Sequence, residues 1–457
     1  MITSLILDLG TTHIKVGVWK DSYAESISLQ KAPTLSIQDC IVECSAKEYF
    51  DAVSNIFFQE ISQLSGNVQV GIASQRSSFL LWNKWTGEPV TPLISWQDRR
   101  AYQWCESHQK LNALVHTTTG LVLSPHYVGP KLAILLQDVS LKRGVENHAI
   151  LFGTLETYCI WKWTKGRIHQ TDMTMAARTM LFDIDQQKWS DEIINILNIS
   201  HNILPVVVST NNQNIMLDNN VSIKVTIADQ AAAALNVFRY GYKRVLINLG
   251  TGGFLLSPIT DQSFFPQGYL KGPFLGQGAQ SLYALEATIN GIGAVWDDFQ
   301  KKNVQLALND MNMDLFCIPD GSGVGAPFWR PDLSLVFSKQ AATIKQKYQA
   351  FLEGIIFRIR AILEDWKVDH TYEILLSGGL IQDAFIGQGL AACLDRSIQV
   401  LEQKEATLSG VLSLLDAHIK TDLKSLAIVP SLEGEYLKDK YFLWKNWIKT
   451  RLFQHQA

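Results

Sequence analysis

The chain has 457 residues, of which 47% are hydrophobic and 18% charged, and its formal net charge is −3. A chain of this length with so much apolar surface builds interior cores, which excludes a disordered protein and a small disulfide-stapled one. The balanced charge, without a long basic run, gives no reason to expect nucleic acid or a membrane surface as a partner. We therefore expect the ligands to be small molecules.

The cysteines and the first residues point to a reducing compartment. The six cysteines are scattered and form no paired C-x-x-C cluster of the kind that holds zinc, so free buried thiols are the simplest interpretation. The first residues lack the basic region of a signal peptide, and no run of about 18 apolar residues is present. These features predict a cytoplasmic protein.

Two segments about half a chain length apart repeat the pattern of an apolar strand, a glycine turn and a second strand. Residues 5–19 form the first copy, with Asp8 before the turn and Gly10 in it. Residues 246–256 form the second copy, with Gly250 in its turn. The repeat predicts two similar domains, residues 1–240 and 241–457, whose turns face each other across a cleft.

Between and after these copies, strand-like and helix-like segments alternate, which is typical of an α/β fold. Further strands are predicted at residues 69–74, 79–82, 93–96 and 372–376. Further helices are predicted at residues 130–137, 155–163, 341–366 and 384–394.

The glycine turns favour a site for a nucleotide. A Gly-Thr turn, as at Thr11 and Thr251, directs backbone N–H groups and a hydroxyl outward, which suits it to hold phosphate oxygens. Asp8 ends the first strand, where a carboxylate can hold Mg²⁺ through water. A third glycine element, residues 377–379, can let a purine approach the backbone. Either turn alone is more simply an ordinary hairpin, and dinucleotide and P-loop motifs are absent.

Asp229 is a candidate general base. It follows an apolar strand and precedes an alanine-rich segment, so its carboxylate is held rigidly enough to accept a proton from a hydroxyl. By itself, an aspartate that caps the following helix explains the pattern equally well. Arg76 and Trp96 also follow strand ends and offer donors and an aromatic wall for a polyol, although an isolated arginine more often forms a surface ion pair.

Ordered motifs along nearly the whole chain resemble those of the FGGY carbohydrate kinases, and most of all those of the glycerol kinase branch. The motifs include DLGTT at residues 8–12, SQR at 74–76, TGEP at 86–89, WQDRR at 96–100, DQ at 229–230, GTG at 250–252, GAPFW at 325–329, GG at 378–379 and EATL at 405–408. The resemblance implies two actin-like, ribonuclease-H-like domains with ATP and a sugar meeting in the cleft between them. It also implies an enzyme that uses ATP and Mg²⁺ to phosphorylate a terminal hydroxyl of a small polyol or ketose.

The resemblance assigns roles to individual positions. Asp229 matches the catalytic base, and Asp8 remains the candidate for the metal. Positions near the ATP phosphates are matched by Thr11, Thr12, His13, Lys15, Gly250, Thr251 and Gly252, and those near ribose and adenine by Gly291, Gly379 and Asp383. Positions of the substrate pocket are matched by Arg76, Ser77, Trp96, His126, Gln230 and Phe254.

Three of these positions depart from the glycerol kinase pattern. Ser77 replaces a glutamate, His126 replaces a tyrosine in a stretch closer to xylulokinases, and Asp383 replaces an asparagine. A short neutral serine leaves room for a larger molecule, so a pentulose such as xylulose or ribulose rivals glycerol as the substrate. An ionised Asp383 accepts hydrogen bonds but cannot donate them, which would change nucleotide affinity or choice.

A second interpretation is a non-catalytic, nucleotide-gated sensor or scaffold derived from a sugar kinase. Loss of the acidic substrate contact at Ser77 favours it. Retention of Asp229, Arg76 and Trp96 favours the enzyme, because a scaffold has no need of a sugar-side base and wall. Members of the family often pair as dimers or tetramers, so a homo-oligomer is an expectation of the resemblance.

Overall fold

The computed structural model describes residues 2–20, 23–218, 220–302, 306, 312–402, 405–416 and 424–453. The chain divides into two compact units. Unit 1 comprises Met1–Asn236, Lys271–Tyr283 and Glu405–Thr421, and unit 2 comprises Val237–Leu270, Ala284–Lys404 and Asp422–Ala457. Unit 1 is therefore built from three separate stretches of the sequence.

Helices and strands alternate along most of the described residues. The helices are α1 Ala46–Ser62, α2 Tyr102–Ser107, α3 Asn112–Thr119, α4 Val128–Leu135, α5 Val139–Glu146, α6 Leu155–Trp163, α7 Met173–Ala176, α8 Asp191–Ile196, α9 Asp229–Phe238, α10 Ile292–Gln300, α11 Ile344–Asp365, α12 Ala384–Leu394, α13 Ala406–Leu415 and α14 Tyr436–Phe453. The strands are β1 Ile2–Leu9, β2 His13–Lys20, β3 Tyr23–Lys31, β4 Ser36–Gln38, β5 Ile41–Cys44, β6 Asn67–Ser74, β7 Phe79–Asn83, β8 Leu93–Ile94, β9 Ile150–Thr154, β10 Gln170–Asp172, β11 Phe182–Asp183, β12 Lys188–Trp189, β13 Val206–Val208, β14 Ile215–Asp218, β15 Val221–Ala228, β16 Arg244–Leu249, β17 Gly253–Ile259, β18 Leu270–Leu275, β19 Leu282–Ile289, β20 Cys317–Ile318, β21 Val336–Phe337, β22 Glu373–Ser377, β23 Ile398–Leu401 and β24 Ser425–Ile428.

The main sheet of unit 1 has six strands in the order β14-β15-β6-β1-β2-β3. β1 and β2 form the predicted antiparallel hairpin, whereas β1, β6 and β15 run parallel to one another. Consecutive residues of β1, from Leu5 to Leu7, are fully buried, so this strand is covered on both faces. Covering on both faces is why its sequence is a continuous apolar run rather than an alternating one.

The three parallel strands of unit 1 end at the same edge of the sheet. Leu9 at the end of β1 pairs with Ser74 at the end of β6, and Ser74 pairs with Ala228 at the end of β15. The residues that follow these strands therefore emerge side by side. In open α/β sheets, binding sites form at such carboxyl ends of strands.

Unit 1 also contains a five-stranded sheet in the order β4-β5-β8-β7-β9. Phe79 and Leu81 of β7 pack in its core with Phe152 of β9. The strand predicted at residues 93–96 is shorter than expected, because β8 ends at Ile94. The chain then leaves the sheet, and the next residues belong to a loop that carries Trp96.

Helix α13 returns from the last third of the chain to pack on the main sheet of unit 1. It lies against β1, β6 and β15. The fit is close at two glycines: a Cβ atom on Gly410 would come within 1.8 Å of the carbonyl oxygen of Ala232, and one on Gly71 within 2.2 Å of Cγ1 of Val411. The absence of side chains at these glycines lets α13 approach α9 and β6.

We expect Gly410→Ala to destabilise unit 1. Alanine favours a helix over glycine by about 1 kcal/mol, but overpacking against a backbone atom costs about 1–3 kcal/mol or more. Because the clash involves a backbone carbonyl rather than a flexible side chain, we expect a net loss of about 2 kcal/mol, or about 4 °C in the melting temperature. Thermal denaturation checks this.

Gly272→Ala is the matched control for this substitution, because a Cβ atom there would meet nothing within 4 Å. We expect it to change stability by less than about 0.5 kcal/mol. Equal melting temperatures for the two variants would contradict the close packing of α13.

Unit 2 repeats the strand pattern of unit 1. β16 and β17 form an antiparallel hairpin, and β16 runs parallel to β22, as β1 does to β6. From β17 the sheet continues in the order β17-β16-β22-β23-β24. The long helix α11 packs Phe351, Ile355 and Ile359 into the core of the unit. The predicted repeat of strand, turn and strand is therefore confirmed.

Two further expectations concern cysteines and membranes. All six cysteines are free, and five are buried as expected, whereas Cys40 is exposed. Among the helices in the described parts of the chain, none is both long and apolar enough to span a membrane.

Candidate active site

The predicted site residues fall into two groups, one in each unit. Unit 1 contains Asp8, Thr11, Thr12, His13, Lys15, Arg76, Ser77, Trp96, His126, Asp229 and Gln230. Unit 2 contains Gly250, Thr251, Gly252, Phe254, Gly291, Gly379 and Asp383.

Asp229 stands at the start of α9, directly after β15. Its Oδ1 accepts a hydrogen bond from the backbone N–H of Gln230 at 2.7 Å. The preceding residue is also fixed, because the N–H of Ala228 donates to Oγ1 of Thr174 at 2.8 Å. That hydroxyl in turn donates to the buried carboxylate of Asp172 at 2.9 Å. A buried polar pair therefore sets the position at which Asp229 leaves the sheet.

Asp8 lies at the same edge and carries a strongly perturbed carboxyl group. Its pKa is raised to about 7, first by burial and then by the negative charge of Asp229. Lys15 opposes this rise in the pKa and Glu405 adds to it. A site with three carboxylates near one ammonium group favours a bound cation.

The edge of the sheet near Asp8 offers carboxylate oxygens as possible ligands for Mg²⁺. In the described parts of the chain, no three His, Cys, Asp or Glu side chains converge to hold a metal ion by themselves. Mg²⁺ usually keeps several water ligands and binds through one or two carboxylates together with substrate phosphates. The carboxylate of Asp8 fits that mode of binding.

Lys15 has a protein partner that the sequence reasoning missed. Its Nζ lies 2.7 Å from Oε2 of Glu405, the residue before α13. Both side chains are partly exposed, at 26% and 32%. The signal that could have identified Glu405 is the EATL motif at residues 405–408, which the resemblance includes.

In the first glycine turn, some side chains are exposed to solvent and one is hydrogen-bonded within the protein. Thr12 and His13 are exposed, as a phosphate-binding turn requires. Thr11 is half-buried, and its hydroxyl donates to Oε1 of Gln75 at 2.9 Å. The same hydroxyl oxygen accepts a hydrogen bond from the indole Nε1 of Trp96 at 3.0 Å.

The residues of unit 1 that the resemblance assigns to the substrate come from several loops and from the start of α9. Nη2 of Arg76 donates to Oε1 of Gln230, which joins the loop after β6 to the first turn of α9. Ser77 is only 7% exposed and has a left-handed backbone, with φ of 62°. Its hydroxyl donates to the carbonyl oxygen of Arg178 at 2.8 Å. The effect of Ser77 on a ligand would thus come from its small size rather than from its hydroxyl.

Trp96 and His126 lie beside each other. Trp96 is 38% exposed, and Nδ1 of His126 lies 3.4 Å from its carbonyl oxygen. Desolvation of the imidazole by the surrounding protein atoms lowers the pKa of His126 to about 4, although part of the residue is exposed to solvent. The hydrogen bond to Trp96 opposes this shift in the pKa, and the charges of Lys131 and Arg99 add to it. At neutral pH the imidazole is uncharged, so it can donate at one nitrogen and accept at the other.

Lys131 is a second residue that the sequence reasoning missed. It lies in α4 and is fully buried, and burial lowers its pKa to about 7. Its Nζ donates to the carbonyl oxygen of Ser95 at 2.9 Å and lies 3.5 Å from that of Ser77. Lys131 therefore ties together the loops that carry Ser77 and Trp96. A lysine within the apolar run of a helix was the available signal.

The second glycine turn lies in unit 2, between β16 and β17. Thr251 is exposed, and its carbonyl oxygen accepts from the N–H of Gly293 at 3.0 Å. Gly291 begins α10 as its N-cap residue. A Cβ atom on Gly250 would meet nothing within 4 Å, so the turn has open space beside it. Phe254 follows on β17, where it is half-buried.

The third glycine element also lies in unit 2, where it leads from β22 to α12. Gly378 has φ of 104°, and a Cβ atom there would come within 2.3 Å of the carbonyl oxygen of Leu249. Gly379 is exposed and has open space beside it. Asp383 caps α12 by accepting from the N–H of Phe385 at 3.1 Å, and it also accepts from the hydroxyl of Tyr348. The carboxylate of Asp383 is thus already engaged within the protein.

Comparison with known sequences gives matches along most of the chain. The family model described as "FGGY family of carbohydrate kinases, N-terminal domain" matches residues 3–231, and the corresponding C-terminal domain matches residues 245–415. A glycerol kinase from Nitrosomonas eutropha is 30% identical, over 87% of this chain and 83% of that protein. A glycerol kinase from Pseudomonas putida is 29% identical, over 99% of this chain and 98% of that protein.

Solved structures show the same architecture. The crystal structure of Plasmodium falciparum glycerol kinase with ADP has a TM-score of 0.85 at 21% identity and covers 99% of both chains. A ligand-bound xylulose kinase from Lactobacillus acidophilus has a TM-score of 0.80 at 19% identity, over 100% of this chain and 99% of that one. These likenesses confirm the predicted α/β fold with two actin-like domains.

Proposed function

Because the chain belongs to the FGGY family of carbohydrate kinases, and is therefore a kinase enzyme, we propose that it phosphorylates a terminal hydroxyl of a small polyol or ketose with ATP. In this proposal Asp229 is the general base. The observation that carries it is the register of three parallel strands, which end together at Leu9, Ser74 and Ala228. The first glycine turn, residues 10–12, is the proposed phosphate turn. This turn, the sugar-side Arg76 and the base Asp229 therefore follow the ends of three neighbouring strands at one edge of one sheet.

Asp229 takes the proton of the attacking hydroxyl in this mechanism. Phosphoryl transfer needs alignment and charge stabilisation more than covalent help from the protein. The hydrogen bond from the N–H of Gln230 orients the carboxylate, and the hydrogen bond of Ala228 to Thr174 fixes the backbone before it. Asp229 can thus hold the hydroxyl in one direction while it accepts the proton.

In our proposal the sugar is bound mainly by side chains of unit 1. Arg76 and Gln230 are already hydrogen-bonded to each other and offer further donors and acceptors to hydroxyl groups. Trp96 provides an exposed aromatic face against which the carbon chain can pack. His126 is neutral and adds a further hydrogen bond. The small side chain of Ser77 leaves room for a ketose, and Phe254 of unit 2 is also assigned to the substrate.

The nucleotide is bound by the glycine turns in our proposal. Thr12, His13, Lys15 and the turn of residues 250–252 contact its phosphates, and Gly291, Gly379 and Asp383 contact its ribose and adenine. Mg²⁺ held by Asp8 through water would supply charge neutralisation for the phosphates. Because Asp383 already accepts hydrogen bonds from Phe385 and Tyr348, it acts toward the nucleotide as a structural support or an acceptor.

The test is ADP release from ATP in the presence of Mg²⁺, with glycerol, D-xylulose and D-ribulose added separately. We expect ADP release that depends on one of these compounds, with the phosphorylated product identified by mass spectrometry. The preferred compound decides between a triol and a pentulose. Binding of ADP without turnover of any member of the panel would contradict the proposed function.

A further inference from the structure

The amide side chain of Gln75 joins two parts of unit 1 that the proposed function assigns to different ligands. Gln75 follows β6, directly before Arg76, and is only 4% exposed. Its Oε1 accepts hydrogen bonds from the hydroxyl of Thr11 at 2.9 Å and from that of Ser78 at 3.1 Å. One amide oxygen thus holds the phosphate turn and the loop that follows the sugar-side arginine.

Both of these hydroxyl oxygens also accept hydrogen bonds from Trp96. Oγ1 of Thr11 accepts from the indole Nε1 at 3.0 Å, and Oγ of Ser78 accepts from the backbone N–H of Trp96 at 3.0 Å. The four residues therefore form a closed ring of hydrogen bonds. Every bond in the ring has a definite direction, because indole and backbone N–H groups only donate and an amide oxygen only accepts.

Gln75 supports the phosphate turn from a second side. Its backbone N–H donates to the carbonyl oxygen of Leu9 at 3.1 Å. Its side-chain Nε2 lies 3.5 Å from the hydroxyl oxygen of Tyr49, and that hydroxyl donates to the carbonyl oxygen of Gly10 at 2.6 Å. The backbone of the turn and the side chain of Thr11 are both held through one residue.

We infer that Gln75 is a positioning residue that couples the sugar site to the phosphate turn. A sugar packed on Trp96 and phosphates bound at the turn each order the same ring of hydrogen bonds. The ligand that binds first bears the conformational entropy cost of ordering the ring, so the second ligand binds more tightly. The identity of the two ligands rests on the proposed function. A neutral amide suits this position, since it both accepts and donates without adding charge to an edge that already carries Asp8 and Asp229.

The test compares Gln75→Met with Gln213→Met. Methionine keeps the length of the side chain and removes the amide. Gln213 is a matched control because it is also buried in unit 1 and its Nε2 donates to Ser209 and Thr226, which have no assigned contact with substrate. The affinity for ADP is measured by calorimetry with Mg²⁺, without and with the sugar that the wild type phosphorylates. The ratio of the two dissociation constants is the coupling factor.

We expect Gln75→Met to reduce the coupling factor at least about fivefold and to raise the KM values for sugar and ATP together by about tenfold. The maximal turnover rate should change less, because Asp229 is untouched. Gln213→Met should keep the coupling factor and both KM values. A merely structural role for Gln75 would change the melting temperature but leave the coupling factor as it is in the wild type.

A second variant keeps the inference testable if Gln75→Met does not fold. Ser78→Ala removes only the branch of the ring that reaches the backbone of Trp96, and it too should lower the coupling factor. An unchanged coupling factor in a folded Gln75 or Ser78 variant overturns the inference while leaving the kinase intact. If the wild type phosphorylates none of the sugars, the proposed function fails and the coupling fails with it.

Discussion

Asp229→Asn should lower the turnover number of the enzyme by about a thousandfold, with smaller changes in the KM values for ATP and sugar. Loss of a general base typically costs about 10²- to 10⁴-fold in rate. Asparagine has nearly the same shape, and its Oδ1 can still accept the hydrogen bond from the N–H of Gln230. The loss would therefore report on proton transfer rather than on folding. ADP release under saturating substrates is the measurement.

Asp51→Asn is the matched control for this substitution. Asp51 lies on α1, where its half-exposed side chain pairs with Lys47, and it should tolerate the same chemical change with normal turnover. Asp229→Ala should be as impaired as Asp229→Asn. Wild-type rates in both variants of Asp229 would show that another group accepts the proton.

Asp8→Asn should have opposite effects on activity and on stability. Without the carboxylate, we expect activity to fall about a hundredfold at fixed Mg²⁺ and the Mg²⁺ concentration for half-maximal rate to rise. Stability should increase, because burial and the charge of Asp229 disfavour the ionised carboxylate and raise its pKa to about 7. A gain of about 2 °C in the melting temperature of the metal-free protein is expected.

Activity measured across a range of Mg²⁺ concentrations and thermal denaturation in a chelator test the two effects separately. Asp51→Asn again serves as a control, because its carboxylate is outside the site. A variant of Asp8 with normal activity at low Mg²⁺ would remove this residue from the cation site. A variant that is less stable than the wild type would show that the carboxylate helps to hold the fold.

Much of the fold could be predicted because its signals are local. The helices predicted at residues 155–163 and 384–394 have the same bounds as α6 and α12. The strand predicted at residues 93–96 ended early for a tertiary reason. The N–H of Ser95 still donates to the carbonyl oxygen of Val42 in β5, so the ladder reaches this residue. It stops there because the carbonyl oxygen of Ser95 accepts from Nζ of Lys131 and the N–H of Trp96 donates to the hydroxyl of Ser78. No propensity of the segment itself indicates where these partners lie.

The site shows the same division between local and distant signals. Asp8, Thr11 and Asp229 could be proposed from the sequence because each lies beside a strand end or a glycine turn. Glu405 could not be paired with Lys15 in this way, since 390 positions separate the two residues. Lys131 could be noticed as a lysine in an apolar helix, but its partners could not be predicted, because they are backbone carbonyl oxygens of distant loops.

The three-part composition of unit 1 has a consequence for biosynthesis. Residues up to Asn236 supply most of the unit, yet α13 reaches it only after about 170 further residues have been translated. Until then, the surface of β1 and β6 that this helix covers stays open to water, and the ammonium group of Lys15 lacks Glu405. A nascent chain therefore holds an incomplete first half while the ribosome makes the second. Truncation before residue 405 would leave that half permanently without its closing helix.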